Sequence, residues 1–468
     1  MPVSPSRAIA YDVLSRVEAE NAYAADALHA LLGGDAARPP RPLAAPVEHL
    51  KRQDAALATE LVFGVLRWQR LLDVLIERQA KRPAASLDMA VRLCLRLGAY
   101  QLLFLDRIPP SAAVNESVEL VKRARKGSAA SIVNAVLRHM PRGPLPPAEM
   151  ARLLPIRMPE AERMGILHSH PTWMVARWLE RLGEERTKSL LIANNRPPLV
   201  ACTVLDPDQT EKVAASLRED GLSVEPGRLL GNSLVVRGGN PIETRAFREG
   251  RITIQDEASQ VVALLAGVRK DQAVLDLCAA PGNKTLVLAR AAGPQARIVA
   301  ADLHGHRLRA LGGQLRRTGT RGVKRVALDA TFPLPFACRF DRVLVDAPCS
   351  GTGTLARNPE IRWRLRPEDI ADLAGRQARI LRNALSVLSP GGRLVYATCS
   401  VEPEENEGVV RTVIGETSGI RLAHSAGVLA PSLAQGVSAE RLFDRNGFFR
   451  SSPDFATDGF FAAVFERD

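Results

Sequence analysis

The first part of the chain carries apolar residues at the three- and four-residue spacing of amphipathic helices. One such stripe consists of Leu57, Leu61, Val65, Trp68, Leu72 and Leu75. Asp54 precedes this stripe and is a residue type that favours the N-cap position. Another helix is predicted after Pro109 and Pro110, because proline suits the first turn of a helix. The pattern therefore predicts an all-α N-terminal domain over residues 1–140.

A mixed pattern follows a proline-rich linker at 141–147. The helices and strands predicted beyond it lie at 173–182, 186–192, 199–205, 212–219, 222–224 and 233–236. A proline-rich surface loop is predicted within the helical domain, at 36–46. Residues 141–249 are thus expected to form a linker and a small α+β module, in which we find no catalytic motif.

Over residues 250–468 predicted strands alternate with predicted helices. The strands are Ala273–Leu277, Arg297–Asp302, Val323–Leu328, Arg342–Asp346 and Arg393–Thr398. The helix before the last strand has an apolar stripe and is expected to end at Pro390-Gly391-Gly392. This alternation is typical of an α/β Rossmann-like domain with a mostly parallel sheet, which binds ligands at the carboxyl ends of its strands.

Composition places the chain among soluble globular proteins. Its 468 residues are 46% hydrophobic and 24% charged, and a chain of this length predicts about three domains. We find no apolar run of the roughly 18 residues that a membrane span needs, and no signal-peptide core near the N-terminus. The expected location is therefore the cytoplasm, without a membrane partner.

The chain is strongly basic, with a net charge of +12 and a pI near 9.8. This balance favours a polyanionic partner such as nucleic acid, although charge alone does not decide it. Lys122, Arg123, Arg125 and Lys126 end one predicted helix, and two interpretations of this run stay open. It is either a solvated helix end that complements the helix dipole or a set of phosphate contacts.

Six scattered cysteines without a CxxC pair make a disulfide framework improbable, and no metal site is expected. Two of them stand at the ends of predicted strands. Cys349 lies in the run Asp-Ala-Pro-Cys-Ser-Gly at 346–351, and Cys399 lies in Ala-Thr-Cys-Ser-Val at 397–401. Such thiols are either inert and buried or form an adduct with the substrate, and the polar neighbours of Cys399 favour the second interpretation.

A strand, a turn and a helix follow one another at 276–285, in the run Asp-Leu-Cys-Ala-Ala-Pro-Gly-Asn-Lys-Thr. Backbone amides at a helix N-terminus accept a nucleotide or a carboxylate group. The turn has one glycine where a dinucleotide fingerprint has three, which favours a smaller adenosyl ligand such as S-adenosylmethionine. The predicted cofactor residues of this turn are Cys278, Ala279, Ala280, Pro281, Gly282, Asn283 and Lys284.

Three aspartates end the strands that follow the turn. Asp302 lies at the spacing where an acid can hold ribose hydroxyls, but it could instead cap a helix that begins near Gly305. Asp329, after the third predicted strand, is expected beside an adenine ring. Asp346, after the fourth, is a further cofactor candidate.

Three motifs together resemble the NOL/NOP/Sun family of RNA 5-methylcytosine methyltransferases. They are Asp-Leu-Cys-Ala-Ala-Pro-Gly at 276–282, Asp-Ala-Pro-Cys-Ser-Gly-Thr-Gly at 346–353 and Ala-Thr-Cys-Ser-Val-Glu-Pro-Glu-Glu-Asn-Glu at 397–407. The segments 98–110 and 133–138 are similar to the NusB-like RNA-binding domain at the N-terminus of bacterial members of that family. The resemblance covers nearly the whole chain and is thinnest between residues 141 and 250.

The resemblance implies a class I methyltransferase that uses S-adenosylmethionine to methylate carbon 5 of a cytosine in small-subunit (16S) ribosomal RNA. It implies that Cys399 adds to carbon 6 of the base and that Cys349 helps to remove the carbon 5 proton and release the product. Asp346 would contact either the cytosine or the cofactor. The substrate would be free RNA or an early assembly intermediate, and the enzyme is expected to be a monomer.

Two positions depart from the family pattern. Asn283 stands where a second glycine is usual, and we expect the turn to survive because asparagine tolerates left-handed backbone angles. The Asp-Gly-Phe-Phe ending at 458–461 lacks a preceding histidine. Three alternatives stay open, namely the same chemistry on another RNA such as tRNA, an amino-group methyltransferase, and a non-catalytic RNA-binding or antitermination protein.

Overall fold

The structure is a computed structural model that describes residues 3–33, 50–143, 147–152, 154–155, 157–455 and 457–468. The proline-rich loop predicted at 36–46 and the middle of the linker at 141–147 lie outside the described residues. Internal contacts divide the chain into two units. The first comprises Met1–Arg196 and Leu355–Arg364, and the second comprises Pro197–Thr354 and Leu365–Asp468.

The first unit is helical. Its helices are α1 Pro5–Ala19, α2 Ala24–Gly33, α3 Arg52–Ala80, α4 Met89–Phe104, α5 Pro110–Arg123, α6 Ala130–Arg138, α7 Pro147–Arg152, α8 Glu160–Leu167, α9 Thr172–Leu182 and α10 Glu184–Asn194. The predicted stripe of α3 faces the core, where Leu61, Val65 and Leu72 are fully buried. The N-cap prediction was wrong: Lys51 caps α3, so that Asp54 lies in its first turn, where a carboxylate complements the helix dipole.

The segment Leu355–Arg364 is held deep inside the helical unit. Arg362 is fully buried, and its guanidinium donates hydrogen bonds to the carbonyls of Ser169 at 3.0 Å and Asn194 at 3.1 Å. Burial lowers the pKa of Arg362 to about 9. The indole of Trp363 donates to the carbonyl of Leu66 at 2.7 Å. These contacts join residues between 168 and 297 positions apart in sequence, and no local sequence pattern predicts them.

The basic run at the end of α5 is partly neutralised. Lys122 pairs with Glu119 at 2.7 Å, and Lys126 pairs with Asp88 at 2.7 Å. Both pairs are solvent-exposed, and exposed pairs contribute little to stability. The run therefore fits either of the two interpretations, and RNA contact by this run stays a prediction.

The second unit begins with the predicted α+β module. It consists of β1 Val200–Val204, α11 Thr210–Glu219, β2 Ser223–Pro226, β3 Ser233–Gly238 and β4 Ile252–Ile254. The sheet has the order β2-β3-β1-β4 and its strands are antiparallel. The helix α11 covers one face of this sheet with Val213 and Leu217.

A larger sheet forms the remainder of the second unit. Its strands are β5 Val274–Leu277, β6 Ile298–Asp302, β7 Val323–Ala327, β8 Phe340–Asp346, β9 Leu388–Thr398, β10 Ile420–Leu422, β11 Phe449–Arg450 and β12 Phe461–Arg467. Their order is β10-β12-β9-β8-β5-β6-β7, with β11 beside β12. The strands β5 to β9 are parallel, whereas β12 runs antiparallel to β9.

Helices connect the parallel strands, as the alternating pattern predicts. Those between parallel strands are α13 Asn283–Ala292, α14 Gly305–Arg317 and α15 Pro367–Ser386, whereas α12 Glu257–Leu264 precedes β5 and α16 Val409–Glu416 follows β9. The strand order reverses at β5, between β8 and β6, and this switch point is where such sheets bind ligands. The predicted fold class is confirmed, while the domain boundaries at 140 and 249 remain predictions.

One helix boundary was wrong. The helix α15 ends at Ser386 and not at Pro390-Gly391-Gly392. These three residues lie in a bulge of β9, where Leu388 pairs with Phe340 but Arg393 already pairs with Arg342. Gly391 has a φ of 67°, which a glycine adopts without strain. Within the described residues, no helix is long and apolar enough to cross a membrane.

Candidate active site

The turn between β5 and α13 is tight and has defined backbone angles. Cys278 has a φ of 61° and Gly282 a φ of 110°. A Cβ on Gly282 would lie 2.8 Å from Cγ of Leu311, so that the residue must lack a side chain. The amide of Ala279 donates to the carbonyl of Ala301 at 2.9 Å, which fixes the turn against β6. The cofactor residues predicted at 278–284 thus form one turn at the switch point.

Asn283 serves a different purpose from the one expected. The left-handed residue of the turn is Gly282, whereas Asn283 is the first residue of α13. Its side-chain amide donates to the carbonyl of Ile254 at 2.8 Å. The turn therefore survives the replacement of glycine because the position is helical, and the tolerance of asparagine for left-handed angles is not needed.

Asp302 stabilises the turn between β5 and α13 by hydrogen bonds, and it is not the N-cap of α14. Its carboxylate accepts from the amides of Ala280 at 3.2 Å and His304 at 3.1 Å. The N-cap of α14 is His304, so the capping interpretation of Asp302 was wrong. Asp329 is exposed and accepts from the amide of Thr331 at 2.9 Å, which together with the Thr331 hydroxyl lowers the pKa of Asp329.

A fully buried carboxylate lies at the end of β5. Asp276 accepts a hydrogen bond from the hydroxyl of Thr285 at 2.6 Å, and its second oxygen, Oδ1, has no hydrogen-bond partner among the described residues. Burial, with a smaller contribution from Asp346, raises the pKa of Asp276 from an ordinary 3.8 to about 7. A cationic ligand group would compensate this buried charge.

The raised pKa of Asp276 predicts that the stability of the protein depends on pH. A raised pKa means that the native state holds the proton more tightly than the unfolded chain, so the free energy of unfolding falls as pH rises from the ordinary 3.8 to about 7 and levels off above that pH. We expect Asp276→Asn to gain about 1–3 kcal/mol over the wild type between pH 5 and pH 8, because asparagine cannot ionise. Denaturant unfolding of both proteins at these pH values measures this stability difference. If the free energies of unfolding of the two proteins changed in parallel with pH, the prediction would be contradicted.

Lys284 and Asp346 form an ion pair beside the turn. Their side chains meet at 2.8 Å, and the ammonium lies 5.0 Å from the centre of the Phe460 ring. Burial lowers the pKa of Lys284, but the charges of Asp346 and Cys399 outweigh it, so that the pKa is raised overall. Lys284 is therefore cationic, and its field acts on Cys399.

The two candidate cysteines come together at the ends of neighbouring parallel strands. Cys349 follows β8 and Cys399 follows β9, and their Sγ atoms are 3.2 Å apart. Both side chains are partly exposed free thiols. The hydrogen bond between the two sulfurs, in which the Cys349 thiol donates, raises the pKa of Cys349 well above its ordinary value, and burial and the charges of Cys399 and Glu405 raise it further. Cys349 accordingly keeps its proton beside Cys399.

Glu405 ties the two cysteine loops together, and sequence reasoning missed it. It accepts from the amide of Ser350 at 2.8 Å, from the Ser350 hydroxyl, and from the Ser400 hydroxyl at 2.5 Å. Gln377 adds a fourth hydrogen bond at 2.9 Å. Several acids in a row suit the first turn of an α-helix, but Glu404–Gly408 forms a π-helical turn that buries Glu405. The feature of the sequence that points to Glu405 is the acid-rich run that directly follows Thr-Cys-Ser.

The C-terminal Asp-Gly-Phe-Phe segment closes against the Cys349 loop. The amide of Gly353 donates to the carbonyl of Cys399 at 3.0 Å, and the amide of Gly459 donates to the carbonyl of Gly353 at 2.7 Å. A Cβ on Gly353 would lie 2.0 Å from the carbonyl oxygen of Gly459. Only glycine permits this approach of the two backbones.

The close approach predicts that Gly353→Ala destabilises the second unit by about 1–3 kcal/mol, because the backbones must separate. The matched control is Gly313→Ala in α14, where an added Cβ meets nothing within 4 Å. Alanine should stabilise that helical position by about 0.5–1 kcal/mol. Denaturant midpoints compare the two variants, and equal midpoints would contradict the steric argument.

Comparison with known proteins identifies the family. A family model described as 16S rRNA methyltransferase RsmB/F matches residues 262–466, a NusB family model matches residues 4–142, and an RsmF/B-like ferredoxin-like domain matches residues 170–243. The probable ribosomal RNA small subunit methyltransferase B of Bacillus subtilis (strain 168) is 34% identical over 421 residues, covering 88% of this chain and 90% of the relative. The chain belongs to the RsmB/F family.

A second relative supports the RsmB/F assignment, and two solved structures share the fold of this chain. The probable ribosomal RNA small subunit methyltransferase B of Synechocystis sp. is 36% identical over 367 residues, which cover 77% of this chain and 81% of the relative. The crystal structure of PH0851 matches all of both chains with a TM-score of 0.78 at 25% identity. The structure of NSun6 from Pyrococcus horikoshii shares the fold over 62% of this chain and 97% of that one, with a TM-score of 0.55 at 21% identity.

Membership of the RsmB/F family makes the chain an S-adenosylmethionine-dependent rRNA methyltransferase with a NusB-like domain, a ferredoxin-like module and a Rossmann-like domain. The site fits this cofactor by its donor chemistry. The cofactor carries an ammonium, a sulfonium and ribose hydroxyls, and the strand ends offer the carboxylates of Asp276, Asp302 and Asp346, which influence one another electrostatically. Oδ1 of Asp276, which has no hydrogen-bond partner among the described residues, can accept a hydrogen bond from such a ligand, and the tight turn at Gly282 leaves its backbone uncovered by a side chain.

Proposed function

We propose that this enzyme methylates carbon 5 of a cytosine in small-subunit ribosomal RNA through a covalent adduct with Cys399. The observation that carries the proposal is the pair of thiols, 3.2 Å apart, at the ends of β8 and β9 beside the cationic Lys284. Two adjacent thiols in unlike electrostatic surroundings suit one nucleophile and one proton-transfer group.

Cys399 would open the reaction by adding its sulfur to carbon 6 of the base, which makes carbon 5 a nucleophile. The cationic ammonium of Lys284 interacts electrostatically with Cys399. S-adenosylmethionine supplies the electrophilic methyl group. We propose that the turn Cys278–Lys284, with Asp302, Asp329 and Asp346, holds this cofactor.

Cys349 would then act as the base that removes the carbon 5 proton. The charge of Cys399 and its hydrogen bond raise the pKa of Cys349 in the free enzyme. Once the sulfur of Cys399 is bonded to carbon, that charge and that hydrogen bond are gone and the pKa of Cys349 falls. The thiol can then release its proton to solvent, and the resulting thiolate accepts the carbon 5 proton. Loss of the proton re-forms the carbon 5–carbon 6 double bond and expels Cys399.

The RNA substrate is proposed from the relatives and from the basic charge of +12. A cytosine within a stem must leave its stack before a thiol can reach carbon 6. The NusB-like domain and the ferredoxin-like module would supply RNA affinity. A cytoplasmic location, a monomeric state, and free RNA or an early assembly intermediate as substrate stay predictions.

Methyl transfer from labelled S-adenosylmethionine to unmodified small-subunit rRNA, with mapping of the modified base, tests the proposal. The expected product is a 5-methylcytosine. A methyl group on an exocyclic amine would contradict the proposed chemistry. Transfer to tRNA in preference to small-subunit rRNA would retain the chemistry and replace the substrate.

Glu405 is expected to act as a positioning residue for both thiols. Glu405→Gln keeps the shape but replaces an acceptor oxygen by a donor, so it opposes the hydroxyls of Ser350 and Ser400. We expect kcat to fall about 10- to 100-fold, because small displacements of reacting groups cost rate. The affinity for S-adenosylmethionine should stay within about twofold, measured by calorimetry. A loss of cofactor affinity equal to the loss of kcat would contradict this role.

A further inference from the structure

The two thiols of the site are in contact with each other, as two cysteines that form a disulfide must be. The Sγ atoms of Cys349 and Cys399 are 3.2 Å apart, and a disulfide needs about 2.05 Å. The strands that precede them are hydrogen-bonded neighbours up to the pair Asp346 and Ala397, so the two loops begin side by side. Both side chains are partly exposed, which admits a small oxidant.

We propose that Cys349 and Cys399 form a reversible intramolecular disulfide when the enzyme meets a peroxide, and that this modification switches methylation off. The disulfide follows from the geometry alone, whereas the loss of activity also rests on the proposed function. In the oxidised enzyme neither sulfur carries a thiol, so neither the addition to the base nor the proton transfer can occur.

The surroundings of the two thiols assign them different parts in the oxidation. Because Cys349 holds its proton, Cys399 reacts first: as a thiolate its sulfur attacks one oxygen of hydrogen peroxide, so that a sulfenic acid forms and hydroxide leaves. Cys349 then attacks the sulfenic sulfur, the S–S bond forms, and the hydroxyl group departs with the proton of Cys349 as water. Two thiols are oxidised to one disulfide, one peroxide is reduced, and the hydroxide takes up the proton that Cys399 had released.

The other four cysteines are poorly placed to compete. Cys94 and Cys202 are fully buried, and burial raises the pKa of each thiol. Cys278 and Cys338 are free thiols of intermediate exposure, and burial also raises the pKa of Cys278. A peroxide should therefore produce one intramolecular cross-link and leave four thiols.

Peptide mapping of the full-length protein after treatment with hydrogen peroxide tests this inference. Free thiols are alkylated after the treatment, and the digest is analysed without reduction. We expect a cross-linked peptide pair containing Cys349 and Cys399, and a fall from six alkylated cysteines to four. Methyl transfer should fall at least about tenfold and return within about twofold after dithiothreitol, since disulfides are reversible oxidation products.

Two variants sharpen the test. Cys338→Ser, outside the site, should form the same cross-link, whereas Cys349→Ser should leave Cys399 to proceed to sulfinic or sulfonic acid, which dithiothreitol does not reverse. Irreversible oxidation of Cys399 in the wild type, or a cross-link between other cysteines, would overturn the inference. The cross-link is read by mass, so it succeeds or fails independently of whether the enzyme methylates cytosine.

Discussion

Replacing Cys399 by alanine is expected to reduce methyl transfer by at least about 10⁴-fold, the largest effect that any single substitution in this chain should have. Without the sulfur no adduct forms at carbon 6, and carbon 5 of cytosine remains too poor a nucleophile to accept a methyl group. Incorporation of labelled methyl into unmodified small-subunit rRNA measures the effect.

The loss must be separated from damage to the cofactor site. Cys399 packs at the edge of the sheet core and lies beside Lys284. We expect calorimetry to show that Cys399→Ala still binds S-adenosylmethionine with nearly unchanged affinity. The matched control is Cys338→Ala, a partly exposed cysteine outside the site, which should retain activity. Appreciable product from Cys399→Ala would refute the assignment of the nucleophile.

Replacing Cys349 by alanine should have the second largest effect and a different one. Addition by Cys399 and methyl transfer can still proceed, but the carbon 5 proton is no longer removed, so the protein stays bonded to its RNA. We expect a slowly migrating protein–RNA species on a denaturing gel and steady-state turnover reduced by at least about 100-fold.

The double variant Cys349→Ala with Cys399→Ala is the control for the trapped species. It lacks both thiols and should give no linked RNA, although it binds cofactor and RNA. If the single variant Cys349→Ala turns over normally, the release function belongs to another group. If the double variant still links to RNA, a residue other than Cys399 forms the bond.

Much of the fold could be predicted from the sequence because its elements are strongly patterned. The predicted strand at 393–398 lies within β9, and the predicted strand at 297–302 differs from β6 by one residue. Both are apolar runs buried on two faces, which is a clear signal in a parallel sheet. The strand, turn and helix at 276–285 could also be predicted, because an apolar strand, a glycine-containing turn and a helix follow one another within few residues.

The remainder depended on contacts distant in sequence. The burial of Arg362 among α3 and α8 to α10 joins segments far apart in the chain, and no local pattern encodes it. Glu405 looked like an ordinary acid at the start of a helix until the π-helical turn brought it under Ser350 and Ser400. Pro390 and its glycines looked like a helix end, because a bulge in a strand uses the same residue types.

Covalent catalysis by Cys399 on a cytosine is the central claim, and one measurement tests it most directly. Cys349→Ala is incubated with S-adenosylmethionine and unmodified small-subunit rRNA, the linked species is digested with protease and nuclease, and the nucleotide-bearing peptide is sequenced by mass spectrometry. We predict a peptide that contains Cys399 bonded through sulfur to a methylated cytidine. A nucleotide attached to any other residue, or a linked base other than cytosine, would contradict the account.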